Sequence, residues 1–210
     1  MRNNQGMDID PSSVIFTPIG ATRLGGLDFS LLRFSPTQLN PFEDPKIAGI
    51  WAPEFAAIGR QAYDEEREEI MAQPGGDFGE AFLLTAASPG EATQAAGVTG
   101  YFPFDDEGRL RILLRWHGAR EDLRGLGASA WMVEQVRGRA AMAHPQCEHL
   151  VEHMPDIPPY AGIALAFSKM GFARTDAVHL HDWSPHPWRE WELPLRPEPA
   201  SKPARPGKPR

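Results

Sequence analysis

The sequence predicts a mixed α/β (α+β) domain built on a largely antiparallel sheet, and three observations predict it. Three strand-like runs, "GEAFLLTAAS", "AAGVTGYFPF" and "RLRILLRWHG", follow one another with only turns between them, as in a meander. Helical stretches stand before and after that meander. Two further strand-like runs close the chain, an order that suits helices packed on a mixed sheet.

The elements follow in order. Residues 1–12 are polar and read as a flexible N-terminus. "SSVIFTPIGATRLGGLDFSLLRF" gives two short strands split by Gly25-Gly26, the residues that supply turn conformations. "PEFAAIGRQAYDEEREEIMAQ" reads as a helix: Pro53 suits its first turn, and Phe55, Ile58, Ala62 and Tyr63 line one side. Gly75-Gly76 lie just beyond its end, and its run Asp64 to Glu69 reads as a wet face. The meander comes next, its last two strands joined by the turn Asp105 to Gly108. A helix runs from Ser129 to Ala143 and stops before Pro145. "CEHLVEHMP", a Pro-rich loop, a short helix "AGIALAFSKM" closed by Gly171, and strands around "AVHLHDW" and "REWELPL" complete a domain spanning 13–195. Residues 196–210 hold five prolines and scattered basic residues, the composition of a disordered tail.

Composition narrows the function classes. A net charge of −7 argues against a non-specific grip on nucleic acid. One cysteine, Cys147, excludes an internal disulfide and a CxxC zinc site. No apolar run approaches the ~20 residues needed to span a bilayer, and the start lacks the apolar core of a signal peptide. A cytoplasmic protein with no membrane partner is expected.

The most informative stretch is "REDLRGLGASAWMVEQV", Arg120 to Val136. Amides in the first turn of a helix have no internal partner and carry partial positive charge. Glycines let such backbone approach a ligand and adopt positive φ, and Arg124 adds a guanidinium able to grip phosphate. The stretch therefore suits an anion. It equally suits a plain turn in which Ser129 caps the helix. It lacks the Gly-Lys-Ser/Thr ending of a P-loop. Gly125, Gly127 and Ala130 match the dinucleotide pattern GxGxxA, but "AREDL" separates them from the strand.

From Arg124, "RGLGASAWMVEQV" resembles the Arg/Gln-x-x-Gly-x-Gly/Ala motif of the Gcn5-related N-acetyltransferases (GNAT). Arg124 and Gly127 take the first two fixed positions. Ser129 stands where that family prefers Gly or Ala, and Met132 and Val133 take the apolar pair of its helix. "AAGVTGYFPF" and "RLRILLRWHGA" are similar to its third and fourth strands. "ALAFSKMGFART" resembles its closing helix, with Met170-Gly171-Phe172 at the ending. Motifs cover Glu80 to Phe172; residues before them agree in element order only.

The resemblance implies a mixed, mostly antiparallel twisted sheet flanked by helices, and an N-acetyltransferase using acetyl-CoA as co-substrate. The diphosphate would lie over Leu126, Gly127, Ala128 and Ser129, with Arg124 and Gly125 in the same cradle. The thioester would lie beside His117, Gly118 and Ala119. An amine of a small molecule or protein would attack it directly, and an assembly up to a homodimer is compatible. The family's tyrosine falls on Phe167, which has no proton to give, so Tyr160, Ser168 or Cys147 become the candidate acids. That departure keeps a non-catalytic acyl-CoA-binding protein on the same scaffold as the alternative.

Strand alternation puts Ile112, Leu114 and Trp116 on one face and Arg111, Leu113, Arg115 and His117 on the other. The basic face would suit an acceptor with a carboxylate beside its amine, or be a solvated or internally paired row. His117 is the first candidate base, although a histidine at such a position is more often a hydrogen-bonded structural one. No metal is expected. "HLVEH", His149 to His153, matches an inverted zinc-protease motif if helical and an ordinary strand otherwise. His179 and His181 form an HxH pair on a strand with polar positions outward, and Trp183, Trp188 and Trp191 read as packing.

Overall fold

A computed structural model describes residues 15–35, 39–44, 47–51, 53–72, 79–106, 108–182 and 184–196. The first fourteen residues, Gly75-Gly76, Trp183, the side chains of the acidic run from Glu65 to Glu69 and the tail from 197 lie outside the described residues.

Eight strands form one sheet in the order β1-β2-β3-β4-β5-β6-β8-β7. They are β1 (Thr17–Leu24), β2 (Leu27–Phe34), β3 (Glu80–Ala87), β4 (Gln94–Asp106), β5 (Arg109–Ala119), β6 (His149–Pro155), β7 (Ala173–His179) and β8 (Trp188–Pro194). Every neighbouring pair is antiparallel except β5 and β6, which run parallel. Three helices accompany them: α1 (Pro53–Ala72), α2 (Ala128–Ala143) and α3 (Ala161–Lys169). The mixed, mostly antiparallel sheet flanked by helices is the predicted one. Among the described residues no helix is long and apolar enough to cross a membrane.

Both faces of the central strands are covered, so these strands are apolar on both sides instead of alternating with polar residues. On one face Phe29, Leu31, Phe82, Leu84, Ile112 and Leu114 pack in one cluster with Met132, Val133, Val136 and Ala140 of α2 and Phe167 of α3. On the other, Phe34, Ala81, Leu83 and Val98 meet Leu39, Ile47 and Ile50 from the segment before α1. Tyr63 of α1 packs there on Trp116, ring centroids 5.2 Å apart.

Two irregularities of β5 set up the site. Its register with β4 slips between Val98 and Gly100, which face Gly118 and Arg115, so Trp116 and His117 together oppose Thr99. Trp116 takes φ +54, an uncommon conformation outside glycine that marks a bulge. The bulge corrects the alternation expected from sequence. Trp116 joins the Val98 face, opposite Ile112 and Leu114, and His117 turns to the α2–α3 face. The second irregularity is the partnership with β6. The strands pair at Ile112↔Leu150 and Leu113↔Val151 and then part. Past that point β5 continues to Ala119 along β4, and β6 to Pro155 along β8.

Candidate functional site

The parted end of β5 leads through a short 3-10 turn, Glu121–Leu123, to the mouth of α2. Gly127 is the N-cap of that helix, at φ +87, with Gly125 at φ +81 before it. A Cβ on either would meet nothing within 4 Å, so conformation and not space calls for glycine there, and the helix mouth opens outward. Among the described residues no side chain caps the helix. The alternative in which Ser129 caps it is therefore corrected, because that hydroxyl is engaged elsewhere. Ala128 is buried, Leu126 and Ser129 are half-buried, and Gly125 and Gly127 are exposed. Arg124 lies beside them, paired with Glu121 at 2.9 Å; both side chains are at least three-quarters exposed, a pair of little energetic weight.

Ser129 Oγ lies 2.6 Å from Nε2 of His117, and Nδ1 of the same ring lies 3.1 Å from Oγ1 of buried Thr99. Both ring nitrogens are thus engaged by hydroxyls. The edge of Phe167 packs on the ring, centroids 5.6 Å apart, and burial pushes the imidazole down to about 4. His117 is neutral at pH 7 and a weak base. Gly118 and Ala119 follow on β5; Gly118 is crossed by the indole of Trp51, and a Cβ there would stand 2.3 Å from Nε1. Arg120 then turns away, donating to Asp122, Gln94 and the Ala95 carbonyl.

The candidate acids separate. Tyr160 stands at the N-cap of α3 and packs edge-on against Phe55 of α1 at 4.9 Å. It precedes Phe167 by two turns on the packed side of α3, about 10 Å along the helix. Ser168 is exposed. Cys147 is buried beyond the C-terminal end of α2, a helix about 24 Å long whose other end carries Ser129. Burial also raises its thiol pKa. Cys147 is thereby placed far from the parted end of β5.

The expected basic row is internally paired in part. Arg111 donates to both oxygens of Glu190 at 2.9 and 3.0 Å, to Asp106 at 2.9 Å, and to Glu192. Arg115 lies over the Phe102 ring at 5.1 Å. The carboxylates that hold Arg111 lie as far as Glu192 in β8 and could not be assigned to it from sequence. "HLVEH" is β6, a strand, so the helical zinc-protease arrangement does not form. His179 turns inward: its ring stacks on that of His153 at 3.7 Å, which corrects the outward position expected for it. Trp188 is buried and Trp191 packs on the main core, as expected of packing residues.

No family model and no curated protein matches the sequence. Among solved structures the chain is similar to a protein from Desulfovibrio desulfuricans assigned to the GNAT acetyltransferases. Identity is 17%, coverage 80% of this chain and 99% of that one, and the TM-score 0.53. It is also similar to an acetyltransferase from Streptococcus agalactiae, at 12% identity, 80% and 98% coverage and a TM-score of 0.52. At these identities the likeness is one of fold, and the fold is that of the Gcn5-related N-acetyltransferases.

Proposed function

We propose that the protein is an acyl-CoA-dependent N-acyltransferase, with acetyl-CoA as co-substrate and an amine of a small molecule or protein as acceptor. The observation that carries this reading is the parting of β5 from β6 beside a helix mouth that no side chain caps among the described residues. A strand edge without a strand partner offers amides and carbonyls to an extended amide-bearing arm such as pantetheine. The amides of Leu126, Gly127, Ala128 and Ser129 would receive the diphosphate, with the exposed Arg124 as a counter-charge beside Gly125.

In this reading the acceptor nitrogen attacks the thioester carbonyl beside His117, Gly118 and Ala119. The C–N bond forms, the C–S bond breaks, and the thiolate leaves with coenzyme A and takes a proton. A backbone amide of β5 would hold the oxyanion. His117, with both nitrogens engaged, is a poor proton acceptor for an alkyl ammonium near pKa 10. It supports the site instead by fixing β5 to α2, so water or the acceptor's own neutral form would carry the base step. Tyr160 is the phenol on the packed side of α3 and the proposed proton donor.

The alternative is an acyl-CoA-binding protein without turnover. Phe167 favours it: the residue is buried against His117 and Phe172 and puts an apolar ring where the family has a phenol. Incubation with acetyl-CoA and a panel of amines, read as released thiol, separates the two. Transfer to at least one amine supports the enzyme. Thermal stabilisation by coenzyme A without release on any amine supports the binder. Neither stabilisation nor release would end both readings.

A further inference from the structure

Two histidine motifs that acyl transfer leaves unused meet in space. His153 of β6 lies directly across from Glu190 of β8, and His179 ends the neighbouring strand β7. Nε2 of His179 is 3.2 Å from Oε2 of Glu190, and Nε2 of His153 is 3.5 Å from that same oxygen. The two imidazoles stack with 24° between their planes. One ligand-type atom from each of the three residues lies within 4.8 Å of the others. The His153 side chain is 7% exposed, and its Nε2 makes no aligned hydrogen bond.

We infer that His153, His179 and Glu190 bind one divalent transition-metal ion of the zinc class, with a fourth position open to water or a ligand. Zinc holds imidazole nitrogen and carboxylate oxygen at about 2.0–2.1 Å in a tetrahedron, which sets neighbouring ligand atoms about 3.3 Å apart. The two nitrogen–oxygen spacings bracket that edge. Two imidazoles and a single carboxylate select zinc or its neighbours over calcium and magnesium, which prefer oxygen. Arg111, bidentate on Glu190, is the outer partner that orients a ligating carboxylate. Its cluster of Asp106, Glu190 and Glu192 supplies three negative charges, against the two positive charges of Arg111 and the neighbouring Arg115. The site uses the last histidine of "HLVEH" but, being built on strands, neither His149 nor Glu152 of that motif. It stands or falls independently of acyl transfer.

The test uses the full chain without an affinity tag, stripped with chelator and titrated with Zn²⁺ by calorimetry and with Co²⁺ by visible spectroscopy. One Zn²⁺ per chain is expected, weakened at least tenfold by His179→Ala, a half-exposed residue whose removal leaves the core intact. Co²⁺ should give the intense bands of a four-coordinate ion, absent from His153→Gln. The inference is overturned if the intact chain takes up no ion, if His179→Ala binds as the wild type does, or if Co²⁺ gives only weak six-coordinate bands. Two imidazole N–H groups donating to Glu190 would then account for the cluster.

Discussion

Nε2 of His117 and Oγ of Ser129 lie 2.6 Å apart, and this contact ties the parted end of β5 to the first turn of α2. Ser129→Ala removes the hydroxyl and leaves a ring nitrogen without its partner beside the apolar ring of Phe167. A loss of about 1–3 kcal/mol is expected. Urea unfolding of the two proteins measures it, and an unchanged midpoint would show that the tie contributes nothing.

The same histidine makes stability depend on acidity. Burial holds His117 at about 4 in the folded chain, whereas the unfolded chain binds that proton near 6.5. The unfolded state therefore carries more protons between these values, and folding free energy from this group falls as pH drops from about 6.5 to 4. Above that window the contribution is constant. The groups facing the ring, Thr99, Ser129 and Phe167, do not titrate here, so the drop belongs to the imidazole. It amounts to about 3 kcal/mol in all. Comparing wild type with His117→Gln from pH 7.5 to 4 isolates this share; parallel curves would refute it.

Much of this frame was legible in the sequence, because strands and helices covered on one or both faces declare themselves through apolar spacing. Gly25-Gly26, Pro53 and Gly171 marked turns and ends where the chain uses them. The bulge at Trp116 was not legible. Bulges with positive φ usually advertise themselves by glycine, and here a tryptophan takes the position, held by its packing on Tyr63. One hidden extra residue moved His117 to the other face and exchanged an expected cleft residue for a strand–helix tie. The partners of Arg111 and His153 were hidden for another reason. Glu190 reaches both only after β8 inserts between β6 and β7, a pairing that no local pattern encodes.

Trp51 tests how tightly β5 is held from its other side. A Cβ on Gly118 would stand 2.3 Å from Nε1 and 2.9 Å from Cδ1 of that indole, so Gly118→Ala must displace it. Overpacking of this kind costs about 1–3 kcal/mol. Thermal unfolding should report the loss. A shift in tryptophan emission should accompany it, because the displaced indole meets more water. Full stability in Gly118→Ala would mean that the indole is not seated on the strand.

Gly127 tests the helix mouth by charge. At φ +87, alanine or aspartate there costs about 1 kcal/mol of backbone strain, and either Cβ enters open space, so both variants should fold. They differ in what stands before the first-turn amides. Gly127→Asp places a carboxylate where the diphosphate would sit, competing for the same donors and repelling the ligand. Calorimetric titration with coenzyme A should show at least a tenfold loss for aspartate and a much smaller one for alanine. Raised salt should narrow the gap, because a repulsion between exposed charges is screened. Equal losses in the two variants would point to backbone strain as the cause, and coenzyme A binding unchanged by aspartate would move the diphosphate away from α2 altogether.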